Sequence, residues 1–336
     1  MSKTAKNTTL KDIAQEAGIS AAAVSKVLNN HGGASKATQA RVHEIAKRLN
    51  YSPNIVAKSL KVNKTKTLGL VVSDSSHSFF GAVIKGAQEE AAQLGYNIIL
   101  ANTNRDKENE KEAINTLIGK RIDGLLLASS RLTQRSDIRY LDSLNIPYVF
   151  LIRRSEDKKA PFVGNDNIAG SKAIVDHLIK TGSSRIHFLN MDKASTSSAD
   201  RLKGYTAALK DNGIKYDPSL VYNTKPDIQE GYTVIRNILE SGQRMEALFC
   251  GCDILGIGAM EAILEYGLKI PKDVRVCGYD DIEFAAYLRR PLTTMRQPKQ
   301  SIGVKGIENL VARVEGIDDK QNVVVLKSEL VVREST

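Results

Sequence analysis

Thr9-Leu-Lys-Asp-Ile-Ala-Gln-Glu-Ala-Gly-Ile-Ser-Ala-Ala-Ala-Val-Ser-Lys-Val-Leu-Asn29 reads as two short helices joined by a tight turn. Thr9 and Asp12 have the spacing of a capping box, in which each side chain satisfies a backbone N–H that the first helical turn leaves free. Leu10, Ile13, Ala14 and Ala17 then share one helical face, which predicts a helix over about 10–17. Gly18 supplies the turn, Ser20 caps the next segment, and Val24, Val27 and Leu28 give that segment an apolar stripe. This is helix-turn-helix geometry. After the polar stretch Asn29-Asn-His-Gly-Gly33, a third helix is predicted from near Ser35, burying Val42, Ile45, Ala46 and Leu49. Pro53 then suits the first position of a very short helix ending at Leu60. A helix of that length is marginal alone in water and orders when something else holds it.

Charge is concentrated in the same stretch. The first 66 residues hold twelve Lys/Arg against three Asp/Glu, a net +9, whereas the remaining 270 hold 36 against 35. A basic front on a neutral body points to a polyanionic partner for the front alone.

Three spaced motifs, Leu10 to Ser20, Val24-Ser-Lys-Val-Leu-Asn29 and Tyr51-Ser-Pro-Asn-Ile-Val-Ala-Lys-Ser-Leu60, closely resemble the head and hinge of the LacI/GalR (lac-repressor/gal-repressor) family, and the resemblance runs nearly the full length. It implies that the second helix lies in the major groove of double-stranded operator DNA, with Thr9, Ser20, Ala21, Ala22, Ala23, Ser25, Lys26 and Asn29 facing bases or phosphates. It also implies that paired hinge helices enter the minor groove through Asn54, Ala57, Lys58 and Leu60, the leucine wedging between base steps. Two departures stand out. Three alanines replace polar or bulky recognition residues and offer a thymine methyl contact but no hydrogen bond. Lys26 and Lys58 stand where Arg is usual, putting a point charge in place of a bidentate fork. More of the specificity is therefore expected from the hinge and from DNA deformability.

From Thr67 onward, apolar runs such as Leu68–Val72, Asn97–Ala101, Gly124–Ala128 and Tyr148–Ile152 alternate with amphipathic helical stretches, and a second series follows at Arg185–Leu189, Leu220–Tyr222, Ala247–Cys250 and Val274–Gly278. That pattern predicts βαβ units with parallel sheets. The expected fold is an all-α helix-turn-helix head followed by an α/β two-lobed body like a periplasmic binding protein, with two doubly wound sheets. Expected bounds are 1–51 for the head, 52–66 for hinge and linker, and 67–336 for effector binding and dimerisation. Within the body the first lobe takes about 67–163 and 294–325, and the second about 164–293 and 326–336.

Ligands of such sheets sit beyond the strand C-terminal ends. The resemblance places Phe79 and Phe80 there as an apolar platform, Arg201 as a fork to hydroxyl or acid oxygens, and Asp253 and Asp280 as hydroxyl acceptors. Many relatives follow the fourth run with Asp-Arg, where this chain has Arg153-Arg154. An added base at a cleft edge matches an acidic or phosphorylated sugar; neutralisation of Arg153 by Glu156 or Asp157 accounts for it equally well. In relatives that use a phosphorylated phosphocarrier protein as corepressor, the helix near 301–314 carries a basic residue where Glu308 stands, which weakens that alternative.

Other classes find little support. There is no phosphate-binding Gly-x-x-x-x-Gly-Lys-Ser/Thr loop, no Gly-x-Gly-x-x-Gly after the first strand and no Gly-x-Ser-x-Gly elbow, so no enzyme is expected. Cys250, Cys252 and Cys277 lack paired spacing and read as buried thiols; five scattered histidines form no ligand pair, so neither metal nor cofactor is expected. An apolar run of the ~18 residues that span a bilayer is missing, and Met1-Ser-Lys-Thr-Ala-Lys leads into a polar stretch, so a cytoplasmic protein without membrane contact is expected. A homodimer on a near-palindromic operator is expected as well, because one head on one half-site binds weakly. A solute-binding protein would match the body alone and would leave the basic head unexplained.

Overall fold

A computed structural model describes residues 8–29, 34–51, 64–128, 130–193, 195–317 and 321–336, and the chain falls into two compact units divided between Thr65 and Lys66. In the first, α1 (Leu10–Ala17), α2 (Ala21–Leu28) and α3 (Lys36–Arg48) form where local chemistry starts and stops them. The Thr9 N–H donates to Asp12 Oδ2 at 2.7 Å and the Asp12 N–H to Thr9 Oγ1 at 3.4 Å, closing the capping box. Gly18 ends α1 at φ 68°, a left-handed conformation that costs glycine little. Ile13, Val24 and Val42 are fully buried at the centre, with Ala14, Ala17, Val27, Ile45 and Ala46 packed around them. The hinge residues Asn54, Ala57, Lys58 and Leu60 lie outside the described residues.

The second unit has two lobes. Strands β1 (Thr67–Val72), β2 (Asn97–Asn102), β3 (Gly124–Ala128), β4 (Tyr148–Leu151) and β5 (Phe162–Asn165) belong to the first lobe. Strands β6 (Ile186–Asn190), β7 (Val221–Asn223), β8 (Ala247–Cys250) and β9 (Arg275–Cys277) form the sheet of the second, in the parallel order β7-β6-β8-β9. Near the chain end, β10 (Thr294–Arg296) pairs antiparallel with β12 (Glu329–Val331), while β11 (Val323–Leu326) returns to complete a six-stranded parallel sheet β11-β5-β4-β3-β1-β2.

Side-chain alternation explains the layering. In β3, Leu126 and Ala128 face one side with Val149 and Leu151 of β4, whereas Leu125, Leu127 and Phe150 face the other. The first face is covered by α4 (Ser78–Gln93) and the second by α5 (Lys107–Gly119) and α6 (Arg135–Ser143). In the second lobe, Ile186, Phe188 and Phe249 pack toward α7 (Asn167–Lys180) and α8 (Thr196–Asp211), while Leu189, Leu248 and Val276 pack toward α9 (Ile228–Glu240) and α10 (Asp253–Glu265). Cys250, Cys252 and Cys277 are free and buried within these layers.

The chain passes between lobes three times. β5 carries the first-lobe sheet to Asn165, and α7 begins two residues later. Thr294–Arg296 remains with the second lobe, where Met295 joins the apolar core, so the return falls at Gln297–Pro298 rather than at 294. The last passage lies between Leu326 and Glu329.

α11 (Lys299–Val314) crosses α4 at glycines: a Cβ on Gly86 would overlap the Gln300 carbonyl oxygen, and one on Gly303 the Val83 carbonyl oxygen. Backbone cannot rotate aside as a side chain does. Gly303→Ala is expected to destabilise the body by about 1–3 kcal/mol through overpacking, exceeding the helix-propensity gain of up to ~1 kcal/mol; denaturant unfolding measures it.

His187 is fully buried in β6, stacked on Tyr222 with ring centroids 5.9 Å apart, and one ring nitrogen lies 3.2 Å from the Arg244 carbonyl oxygen. Burial lowers its pKa below the usual value, outweighing the opposing hydrogen bond to the Arg244 carbonyl. A depressed histidine contributes stability above its unfolded pKa of about 6.5 and loses it as pH falls, because the unfolded chain takes up the proton first. The melting temperature is expected to drop between pH 7 and 5, and His187→Gln to flatten that slope.

Candidate functional site

Two surfaces carry the candidate residues, one in each unit. In the head, Thr9 and Ser20 are exposed N-caps, the Ser20 hydroxyl accepting the Ala23 N–H at 3.2 Å. Ala22 and Lys26 are exposed on α2, with Ala23 and Ser25 partly exposed beside them. Ala21 leans toward the head's own core, and the Asn29 amide donates to the Ser25 carbonyl oxygen at 2.8 Å, closing the end of α2. Glu16 is paired with Arg48, and Asp12 is engaged in the cap, which leaves the basic character of this unit largely uncompensated.

In the body, a cleft of about 620 Å³, its mouth included, opens between the lobes at the C-terminal ends of the strands of both sheets. Its first-lobe wall carries Phe79 and Phe80 at the start of α4, their rings edge to face at 5.3 Å. His77 caps that helix, its Nδ1 accepting the Phe79 N–H at 3.3 Å. Arg105, Arg131 and Arg153 follow β2, β3 and β4 on the same side.

Arg201 and Asp280 form the second-lobe floor. Arg201, 2% exposed, donates from Nε to Asn167 Oδ1 at 3.0 Å and from Nη1 to the Gly251 carbonyl oxygen, and its guanidinium lies over the Tyr279 ring at 3.8 Å. Its Nη2 is 3.8 Å from Asp280 Oδ1. Asp280 adopts φ 118° and accepts Gln297 Nε2 at 2.5 Å; burial raises its carboxyl pKa against the opposing pull of Arg201. Arg201 Nη1 also donates to Met191 Sδ at 4.0 Å, which leaves the N–H groups of Nη2 without a hydrogen bond among the described residues.

The expected effector positions therefore divide. Phe79, Phe80, Arg153, Arg201 and Asp280 line one cleft. Asp253 does not: it is fully buried behind the wall, its carboxylate accepting the Ile282 N–H at 2.8 Å and the Thr294 hydroxyl at 2.5 Å, so it ties α10 to the chain after β9. Arg154 does not either, because its guanidinium rests on the Phe162 ring at 4.5 Å.

Arg153 is held by an unusual turn. Its N–H donates to the Leu151 carbonyl oxygen at 2.8 Å, closing a γ-turn around Ile152 at φ 73°, a strained conformation for a β-branched residue. The guanidinium has neither hydrogen bond nor ion pair with any described residue; Glu156 is exposed and Asp157 accepts the Lys159 N–H instead. Burial, and then the Arg131 charge beside it, bring its pKa down to about 10.

Sequence reasoning missed Arg105, Arg131, Asp192, Ser195 and Gln297, all lining the cleft. Four of them sit within a few residues of a strand C-terminus, a positional signal that marks candidates in a parallel sheet without help from their residue type. Gln297 sits at a lobe crossing. Among the described residues no group of three or more His, Cys, Asp or Glu is placed to hold a metal ion, and no helix is long and apolar enough to cross a membrane.

Residues 65–331 match the family described as periplasmic binding proteins and sugar binding domain of LacI family, and residues 9–54 match the bacterial regulatory proteins, lacI family. The chain is 35% identical over 331 residues to the HTH-type transcriptional regulator RegA of Clostridium saccharobutylicum, covering 98% of this chain and 99% of that protein. It is 33% identical over 327 residues to the ribose operon repressor of Haemophilus influenzae, at 97% and 98% coverage. The lac repressor dimer bound to operator and an anti-inducer matches with a TM-score of 0.90 at 27% identity, covering 98% of this chain and 99% of that one. With head and body each matched in order and relatives aligned almost end to end, the chain belongs to the LacI family of bacterial DNA-binding transcriptional regulators.

Proposed function

We propose that this chain is a cytoplasmic repressor that binds a near-palindromic operator as a homodimer, with its operator affinity set by a sugar-like effector held between the lobes. One observation carries the reading: a single polypeptide joins a helix-turn-helix unit of net +9 to a two-lobed body whose cleft collects an aromatic platform, a buried guanidinium and a buried carboxyl. The first feature addresses phosphates and bases, the second a small polar ligand. A solute-binding protein has no use for the head, and a carbohydrate enzyme needs two carboxyls across a bond, whereas Asp281 is engaged by Arg296 and Arg333, each at 2.6 Å.

Contacts to the effector fall to Phe79 and Phe80 as apolar cover and to Arg201 and Asp280 as donor and acceptor. In the head, Ala22, Ala23, Ser25 and Lys26 present the reading face, and Thr9 and Ser20 stand at helix starts where phosphates are favoured. Lobe closure alters the relation between the first lobes of the two subunits, and coupling of ~1–3 kcal/mol, about 5–150-fold in affinity, is typical of such devices.

An electrophoretic shift on the chain's own promoter, repeated with a panel of sugars and sugar derivatives, tests the reading: one compound is expected to change operator affinity several-fold, and full-length protein that ignores the promoter at low salt refutes it. Lys26→Ala is expected to weaken operator binding and to shallow the slope of log K against log salt by about 0.9–1, one phosphate contact's share. Affinity measured across a salt series reads both.

A further inference from the structure

The cleft holds more positive charge than its own carboxylates answer. Arg105 Nη2 lies 3.6 Å from Asp74, Arg131 Nη2 is 2.7 Å from Asp192, and Arg201 stands 3.8 Å from Asp280. Arg153 is the guanidinium left over. The protein spends backbone strain at Ile152 to aim it inward, and such strain persists where the surroundings enforce it and clusters at ligand clamps. Glu110 braces the neighbouring wall, accepting the Ser130 hydroxyl at 2.5 Å and the Arg131 N–H at 2.9 Å, so its oxygens serve the loop that positions Arg131.

The opposite wall faces this turn with a helix start. The Ser197 hydroxyl on α8 donates to the Ile152 carbonyl oxygen at 3.2 Å, which sets the N-terminus of this 16-residue helix directly against the turn carrying Arg153. No side chain caps α8. Ser195 at its N-cap is 2% exposed, lines the cleft, and its hydroxyl has no hydrogen-bond partner; Arg131 Nε is likewise buried and unpartnered. Uncapped N–H groups, an unused serine hydroxyl and a lone guanidinium converge from two lobes, all donors. Helix N-termini favour anions through free N–H groups and the aligned peptide dipoles.

We propose that this junction is an oxyanion subsite, so that the effector is a sugar-sized molecule ending in a phosphate ester or a carboxylate. The proposal rests on the reading that the cleft takes an effector. Arg153 and Arg131 grip the anion from the first lobe, Ser195 and the α8 N-terminus from the second, and the hydroxyl-bearing end lies toward Arg201 and Asp280. Asp192 competes for Arg131, so anion binding draws Arg131 away from a carboxylate of the opposite lobe and replaces a direct bridge with one through the ligand. A neutral sugar leaves Arg153 desolvated when the lobes close, with only the unbonded charges of Asp192 and Glu110 to offset it, an arrangement that costs free energy.

Titration calorimetry on the full-length protein, with inorganic phosphate, glucose 6-phosphate, glucuronate and glucose as probes, tests the subsite. At least one charged probe is expected to bind at least tenfold more tightly than glucose, and Arg153→Gln to weaken charged probes roughly 10- to 100-fold while glucose loses far less. Phosphate compounds ahead of glucuronate assign a phosphate ester; the reverse order assigns a carboxylate. Arg153→Lys, which keeps the charge, is expected to recover part of the loss, and unchanged melting temperatures show that both variants fold. Glucose binding as tightly as its charged counterparts, no charged probe binding at all, or an Arg153→Gln protein indistinguishable from the parent overturns the proposal. A neutral sugar that then still shifts the operator complex leaves the repressor reading standing, whereas protein that binds charged probes but ignores the promoter at low salt loses the repressor reading and keeps the subsite.

Discussion

Arg201 brings a full positive charge into a floor only 2% exposed, and the second lobe is arranged around that constraint. A buried guanidinium is tolerable when its N–H groups and its charge are answered, and here three chain segments answer it: Asn167 at the start of α7, Gly251 after β8, and Tyr279 and Asp280 after β9. Those segments are the strand ends and helix starts from which the cleft is built. A charge that demands several partners thus fixes the relative positions of the loops a ligand would touch. Asp253 repeats the device one layer deeper, holding Ile282 and Thr294 and so the path of the chain that leads to the lobe crossing.

Among the described residues the ties between lobes are polar, and Asn165 at the end of β5 donates to the Tyr279 hydroxyl at 3.1 Å. Gln297 at a crossing donates to Asp280, Lys299 Nζ donates to the carbonyl oxygens of Asp280 and Asp281 at 2.5 and 2.6 Å, Ser197 reaches Ile152, and Arg131 reaches Asp192. Each lobe, by contrast, is a closed stack of apolar layers, with α4 and α11 interlocked at Gly86 and Gly303 so closely that neither helix has room to slide. Close-packed interiors do not deform continuously. The lobe motion proposed above would therefore fall at the boundary, where the chain passes between the lobes three times.

The sheets were legible because their signal is collective. Leu68–Val72, Gly124–Ala128 and Tyr148–Ile152 are apolar runs whose alternation assigns both faces at once, and the capping box at Thr9 and Asp12 marks a helix start to the residue. Single side chains in the cleft were harder. Asp253 and Asp280 look alike in sequence, each just past a strand, yet one serves the core and the other the cleft, since the difference lies in which backbone groups fold back onto them. Arg153 and Arg154 are adjacent and identical in kind, and a γ-turn at Ile152 decides which enters the cleft. That turn has no sequence mark, because nothing in an isoleucine announces φ 73°. Arg105 and Arg131 belong to no motif, and only their distance of three residues past β2 and β3 marks them.

The head and the cleft place matched demands on energy. On α2 the exposed residues are Ala22 and Lys26, and neither can make the bidentate base contact that contributes ~1–3 kcal/mol of discrimination. Affinity from this helix is then mostly charge on phosphate, which is shallow in specificity and easily diluted by salt. In the proposed function, a switch of ~1–3 kcal/mol then has to decide occupancy. A ligand supplies that much when it binds one lobe arrangement better than the other. Polar interlobe bridges among the described residues, each individually replaceable, make such a difference attainable without disturbing either core.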